Sequence, residues 1–235
     1  MKKAFTLAEV LITITILGVI AAITLPVILS DINKNTWANS YKTNINVLNA
    51  GFKQMMAQED VEDLRDTTLW SDFVTEDVTT KNDDITRELR KYFKVDKVDE
   101  NWPDTIYTLS NTEYENNSVR FYLPNTATLN IKFMNDRTFR RCTEDQLFCH
   151  PVAEILLDVN GDKRPNIIGK DIYSLVLGED GVLYPNGSEA TNKYDPETYP
   201  LWDTEAGCQG KDPKSDGLSC AARVVDEGFK INYTN

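Results

Sequence analysis

An acidic loop is the first feature of the sequence that could carry chemistry. Asp158, Asn160 and Asp162 stand at alternate positions, with a glycine between the last two. Oxygen ligands at this spacing begin loops that bind Ca²⁺. The twelfth position, where such a loop usually ends in glutamate, is Gly169, and Asp171 is the nearest substitute. The pattern predicts either a calcium site or a strand-joining turn in which the side chains bond their own backbone.

Four cysteines form the second candidate cluster: Cys142, Cys149, Cys208 and Cys220. Three pairings are open, and proximity in sequence favours joining the first two and the last two. The two disulfides would close loops of about 8 and 13 residues and would each contribute about 2–3 kcal/mol. Zinc is the alternative, with Cys142, Cys149 and His150 among the ligands, but the close cysteine pairs of structural zinc sites are missing.

Nothing in the sequence pattern indicates an enzyme. His150 is the single histidine, which leaves few options for acid–base catalysis at neutral pH. Serine-hydrolase, zinc-protease and phosphate-loop motifs are absent, and carboxylate pairs in so acidic a chain are mostly solvated surface. The net charge of −12, from 25 basic and 37 acidic residues, argues against binding duplex nucleic acid. We therefore expect no enzymatic activity and no required cofactor.

The amino terminus contains one long apolar segment. Lys2 and Lys3 precede it, and no residue from Val10 to Leu29 is charged. About twenty helical residues span roughly 30 Å, the thickness of the hydrocarbon core of a bilayer. The lysines place the amino end in the cytoplasm and residues 31–235 outside, where disulfides persist. By itself this pattern is typical of a signal anchor or a cleavable secretory signal.

Glu9 lies at the start of the apolar segment, where a carboxylate needs a partner. A charge at the centre of a membrane helix costs about 2.5–3.5 kcal/mol, and less near the interface. The residues around it, Ala-Phe-Thr-Leu-Ala-Glu-Val-Leu-Ile at positions 4–12, follow a short lysine-containing leader and precede the apolar run. This segment resembles the prepilin cleavage and methylation segment of type IV pilins and type II secretion pseudopilins.

The resemblance implies processing and assembly. Prepilin peptidase would cut between Ala4 and Phe5, and the new amino group of Phe5 would be N-methylated. Glu9, fifth in the processed chain, would pair with the terminal ammonium of a neighbouring subunit, which supplies the missing partner. The family most often has glycine before the cut, and Ala4 is small enough for a peptidase pocket. Some pseudopilins bind calcium in a loop of the sheet, and many pilins close a carboxyl-terminal loop with a disulfide.

The elements that must position these residues begin with one long helix. Beyond Pro26 the apolar residues recur every three or four positions, which predicts a helix that continues to about Gln58 and buries one face. Pro26 predicts a kink or local loosening, and the resemblance suggests partial unwinding from Gly18 to Pro26 in filaments. The apolar stripe consists of Trp37, Tyr41, Ile45, Leu48, Phe52 and Met55.

An antiparallel sheet under this helix is predicted by segments with a period of two, which gives an α+β, pilin-like fold. A helix is expected over Asp84–Phe93. After Cys220 the pattern predicts a short helix stopped at Gly228 and then a final strand. The other predicted strands are Thr105–Leu109, Ser118–Leu123, Thr128–Met134, Val152–Asp158, Asp171–Leu177 and Val182–Tyr184.

The predicted organisation has four parts: a leader at 1–4, a transmembrane assembly half-helix at 5–30, an amphipathic half-helix at 31–58 and one globular head at 59–235. We expect a single-pass inner-membrane precursor with an exported head, which becomes part of a periplasmic or extracellular filament. Its partners would be prepilin peptidase and other pilin or pseudopilin subunits. The alternative is a minor tip pilin that acts as a binding or adhesion module.

Overall fold

A long amino-terminal helix and an antiparallel sheet are the main elements of the fold. The computed structural model describes residues 6–75, 78–99, 105–114, 120–133, 151–191, 207–208 and 215–233. The chain divides into two compact units, Met1–Thr36 and Trp37–Asn235. The helices are α1 (Leu7–Glu59), a 3₁₀ helix (Leu64–Asp66), α2 (Thr68–Thr75), α3 (Val78–Phe93) and α4 (Cys220–Asp226). The strands are β1 (Lys97–Asp99), β2 (Ile106–Tyr107), β3 (Glu113–Tyr114), β4 (Arg120–Tyr122), β5 (Thr128–Phe133), β6 (Ala153–Asp158), β7 (Ile172–Leu177) and β8 (Leu183–Pro185).

Helix α1 confirms the predicted long helix and ends one residue beyond Gln58. The helix is continuous through Gly18 and Pro26, so the loosening expected at Pro26 is not observed in this single chain. Proline removes one main-chain donor and leaves the other hydrogen bonds of a long helix in place. The hydroxyl of Thr24 also donates to the carbonyl of Ile20 at 3.0 Å in this region. Unwinding within a filament stays a prediction.

The amphipathic half of α1 packs on the sheet as its apolar stripe predicts. Tyr41, Leu48, Phe52 and Met55 are buried, and Trp37 and Ile45 are partly buried against the same core. The ring of Tyr41 lies on that of Tyr173 in β7, with centroids 4.3 Å apart. This stripe attaches the carboxyl-terminal half of α1 to the sheet by apolar burial, the main favourable term in folding.

The main sheet has six antiparallel strands in the order β1-β4-β5-β6-β7-β8. It confirms the predicted antiparallel sheet, and the observed strands from β4 to β8 lie within one or two residues of the predicted bounds. The strand predicted at Thr105–Leu109 is present but shorter, as β2, and it pairs with β3 in a separate two-stranded sheet. Ile106 is buried with Leu156 of β6 and Ile172 of β7 in a second apolar cluster, so β2 packs against the main sheet without joining its strand order.

The predicted final strand is also wrong for the described residues, although α4 confirms the helix before it. The chain turns at Gly228 and Phe229, whose φ angles are 72° and 60°, and no strand follows up to residue 233. The tail is held by side chains instead, since Ile231 and Tyr233 are buried. The ring of Phe229 also lies 6.1 Å from that of Tyr41, centroid to centroid. Packing on the core therefore replaces a hydrogen-bonded ladder.

Candidate functional site

The first turn of α1 holds Glu9 by a reciprocal cap. Oε2 of Glu9 accepts hydrogen bonds from the main-chain N–H and the hydroxyl of Thr6, each at 2.8 Å. The N–H of Glu9 donates to the Thr6 hydroxyl at 3.3 Å. This is the capping-box arrangement, and an acidic side chain is favoured at a helix amino terminus. Both residues follow the predicted cut, so the cap can persist in a processed chain; Ala4 and Phe5 lie outside the described residues.

The apolar segment that follows exposes large side chains on all sides. Its leucine, isoleucine and valine residues from Leu7 to Leu29 are about half exposed or more. The hydroxyls of Thr13, Thr15 and Thr24 donate to main-chain carbonyls three or four residues earlier, at 2.7–3.0 Å. Internal satisfaction of polar groups is what a lipid environment requires. Among the described helices, α1 is the one whose length and composition would allow it to cross a membrane.

Residues 1–25 match a family model described as the prokaryotic N-terminal methylation motif. This is a prepilin-type segment. It confirms the resemblance seen in the sequence and supports a prepilin-type subunit of a type IV pilus or pseudopilus. No curated protein and no solved structure matches the chain.

The prepilin-type segment indicates how the chain is processed, assembled and located. It implies processing by prepilin peptidase and assembly with other pilin subunits. Together with the apolar part of α1, it is consistent with a precursor anchored in the inner membrane. Structural proteins of the pilin type are generally not enzymes, in agreement with the lack of catalytic motifs in the sequence.

The acidic loop of the head begins at Asp158, the last residue of β6. This side chain is fully buried, and its Oδ1 accepts from the main-chain N–H groups of Asn160 at 3.1 Å and Gly161 at 2.9 Å. Its Oδ2 accepts from Nη2 of Arg120 at 3.0 Å. Burial raises the pKa of Asp158, the charge of Asp171 raises it further, and Arg120 opposes both effects. Both carboxylate oxygens of Asp158 therefore have protein donors.

Arg120, on β4, supplies the positive charge of this loop and is itself fully buried. Its Nε donates to the hydroxyl of Thr128 at 2.9 Å, and its Nη1 lies 3.0 Å from Oδ1 of Asp162. The side chain of Asp162 is 63% exposed, so one end of the cluster meets water. The guanidinium thus contacts two of the four residues that the sequence predicts as calcium ligands.

The other two predicted ligands serve the chain itself. The carboxylate of Asp171 accepts from the N–H groups of Asn166 at 2.9 Å and Ile167 at 2.8 Å, and burial raises its pKa. Nδ2 of Asn160 lies 3.5 Å from the carbonyl oxygen of Arg164. These contacts are typical of the turn that the sequence predicts as the alternative to a calcium site, in which Asp and Asn side chains form hydrogen bonds with the backbone.

A metal-binding cluster of acidic, histidine or cysteine side chains is not formed in the part of the chain that the structure describes. No three such residues there are placed to hold one ion. Calcium binding at the acidic loop stays a prediction. Sequence reasoning missed Arg120, although one signal was present: a charged residue in a predicted strand of alternating pattern needs a partner if it is buried.

The two predicted disulfides have different outcomes. Cys208 and Cys220 are bonded, and both are fully buried. The carbonyl oxygen of Cys208 also accepts from Nη1 of Arg223 at 2.6 Å, so the segment is tied to α4 twice. Cys142, Cys149 and His150 lie outside the described residues, so their pairing and the zinc alternative stay predictions.

A small polar cavity of about 90 Å³ lies on the sheet face opposite α1. Lys132 and Glu154, which are paired across β5 and β6, line it together with Ser174 and Asn186. Pockets for cofactors and drug-sized ligands are usually about 300–1,000 Å³. This cavity is large enough for a few water molecules and does not fit an organic cofactor.

Proposed function

We propose that the protein is a structural filament subunit of the type IV pilus or type II secretion pseudopilus class. Prepilin peptidase cuts the precursor between Ala4 and Phe5, the amino group of Phe5 is methylated, and the apolar part of α1 then packs among the same parts of other subunits. The observation that carries the proposal is the methylation motif at residues 1–25. No step of this proposed function uses the acidic loop, the cavity or the disulfide of the head.

The geometry of Glu9 supports the assembly step. In the single chain its carboxylate is held by Thr6 at the first turn of α1. The ammonium of a neighbouring Phe5 carries a full positive charge, whereas the Thr6 donors are neutral, so this contact adds the attraction of opposite charges to a hydrogen bond. In a medium without water, neutralising both charges removes a large penalty. When the Glu9 carboxylate exchanges a Thr6 donor for the ammonium of a neighbouring Phe5, the assembled state is therefore favoured.

The exposed apolar surface of α1 supports a membrane-to-filament transfer. Before assembly, lipid covers the side chains from Leu7 to Leu29; after assembly, the helices of other subunits cover them. Lipid and neighbouring helices both keep these apolar side chains out of water, so moving the helix from the membrane into the filament costs little hydrophobic free energy. The head remains on the outer side of the membrane, because Lys2 and Lys3 hold the leader in the cytoplasm.

Substitution of Glu9 separates a filament subunit from a protein that is merely anchored. We expect Glu9→Ala to insert into the membrane at the normal level and to be absent from sheared filaments, measured by fractionation and immunoblotting. Glu62→Ala is the matched control, because Glu62 is an exposed glutamate outside the apolar segment, and it should assemble normally. Filaments that contain Glu9→Ala at the level of the unmodified protein would contradict the proposal. Immunogold labelling along filaments or only at their ends distinguishes a main subunit from a tip subunit.

A further inference from the structure

The core of the acidic loop contains three ionisable side chains with no exposed surface. Arg120, Asp158 and Asp171 are each 0% exposed. A buried charge is tolerated only when it is paired and hydrogen-bonded. Two carboxylates at one place therefore need a cation or many donors, and a divalent metal ion is one solution to that requirement.

Protein donors already meet the requirement for both carboxylates. Asp158 receives a guanidinium nitrogen and two amide N–H groups. Asp171 receives two amide N–H groups, from Asn166 and Ile167. A metal ion at Asp158 would face the positive charge of Arg120, whose Nη2 lies 3.0 Å from Oδ2 of that carboxylate. Like charges in a buried site repel strongly.

The position that would close a calcium loop is also blocked. Gly169 stands twelfth from Asp158, where a glutamate ligand is usual. Its φ angle is +87°, and a Cβ added there would lie 2.7 Å from Sγ of Cys220. The buried Cys208–Cys220 disulfide thus fills the space into which a side chain at position 169 would extend. The acidic loop and the disulfide are packed in direct contact, so position 169 has no room for the side chain of a calcium ligand.

From these contacts we propose that Arg120 is a built-in cation of the acidic loop, which takes the place that a calcium ion would fill. Its Nη2 binds Asp158, its Nη1 faces Asp162 and its Nε is fixed by Thr128. The planar fork of a guanidinium suits a site that needs several donors in fixed directions. The head therefore folds without calcium and keeps its stability when calcium is removed.

The first test is the calcium response of the full-length protein in detergent micelles. We expect the midpoint of thermal unfolding, followed by near-ultraviolet circular dichroism, to shift by less than about 1 °C between EDTA and 5 mM CaCl₂. A ligand that binds the folded state alone raises this midpoint. A rise of several degrees in calcium would overturn the proposal. It would show that calcium binds the folded protein with Arg120 in place, and the amide oxygens of Asn160 and Asn166, which have no hydrogen-bond partner among the described residues, would then be the first ligands to substitute.

The second test removes the guanidinium. Arg120→Ala leaves Asp158 buried without its charge partner, so we expect a midpoint about 6–20 °C lower, and calcium should recover part of this loss. Arg87→Ala is the control, because the side chain of Arg87 is 60% exposed, and it should shift the midpoint by no more than about 2 °C. Arg120→Lys keeps the positive charge but lacks the planar guanidinium, so its midpoint should lie between those of Arg120→Ala and the control. This variant can be measured if Arg120→Ala does not fold. A variant at position 120 as stable as the Arg87 control, or a folded Arg120→Ala that calcium does not stabilise, would refute the proposal.

Discussion

Thr6 and Glu9 show how one pair of residues can serve both a free and an assembled subunit. In the free chain the reciprocal cap satisfies main-chain donors at the start of α1. The carboxylate is also fixed in the turn next to the new amino terminus that cleavage would create. An uncapped glutamate at position 9 would have a mobile side chain, which assembly would have to order, and ordering a side chain costs free energy. The cap thus prepares Glu9 for the proposed ion pair.

Processing depends on the size of the residue before the cut. We expect Ala4→Leu to leave an uncut precursor, because a bulky side chain does not fit a peptidase pocket that accepts glycine or alanine. Mass spectrometry of the membrane fraction would show a chain heavier by the first four residues and lighter by one methyl group than the processed protein. Ala8→Leu, a similar change downstream of the cut, should be processed normally. Full cleavage of Ala4→Leu would argue against this recognition.

Helix α1 contacts the α-helical part of the head through a glycine. A Cβ at Gly51 would lie far too close to Cε1 of Phe93, the last residue of α3, for two carbon atoms that are not bonded. The absence of a side chain lets Phe93 pack beside Phe52, with ring centroids 4.9 Å apart. Edge-on aromatic pairs of this kind contribute about 0.5–1.5 kcal/mol beyond the burial of their area. Gly51 is thus a packing residue in the middle of a helix, where glycine is otherwise unfavourable.

Gly51→Ala should therefore destabilise the protein despite its better helix propensity. Alanine favours the helix by about 1 kcal/mol, whereas displacement of the Phe93 ring costs about 1–3 kcal/mol. We expect a net loss of about 1 kcal/mol or more in the free energy of unfolding, measured by denaturant titration of the full-length protein. Asn46→Ala, at an exposed position of the same helix, should stay within about 0.5 kcal/mol of the unmodified protein. A stabilised Gly51→Ala would mean that Phe93 does not pack there.

At the scale of the whole molecule, the carboxyl-terminal region joins the helix to the sheet within the unit Trp37–Asn235. The hydroxyl of Tyr41 in α1 donates to the carbonyl oxygen of Ala221 in α4 at 3.2 Å. The next residue back, Cys220, is bonded to Cys208, and it packs against Gly169 beside the acidic loop. One disulfide therefore supports the helix contact, the loop and the tail together.

Loss of the Cys208–Cys220 disulfide should weaken this whole region. We expect the double variant Cys208→Ala/Cys220→Ala to lose about 2–3 kcal/mol of unfolding free energy, because its unfolded chain is no longer constrained by a closed loop. The measurement is denaturant unfolding of the oxidised full-length protein beside the variant. Reductant should destabilise the unmodified protein by at least as much, and any effect of reductant on the variant would test the predicted Cys142–Cys149 disulfide. Equal stability of the variant and the oxidised parent would contradict the structural role.

Local patterns in the sequence were sufficient to predict the amino-terminal segment, the long helix and most strands of the main sheet. The prepilin-type segment depends on a few residues in fixed order, and the long helix depends on a repeat of three and four positions that continues through Trp37–Met55. Strands β4 to β8 follow from period-two segments, and the Cys208–Cys220 pair follows from proximity. Each of these features is encoded within a short stretch of chain, where spacing alone decides which side chains share a face.

Only the tertiary structure decided which distant residues meet. Arg120 and Asp158 are 38 residues apart in sequence and become partners because β5 lies between their strands in the sheet. The tail after Gly228 has a strand-like pattern, but its apolar side chains are buried in the core, and Ile106 of β2 packs on side chains of the main sheet. A short segment can satisfy its hydrogen bonds and apolar surface in more than one way, and the packing of the whole chain selects among them. The assembly helix could therefore be predicted from its residues alone, whereas the cation of the acidic loop could be found only in the fold.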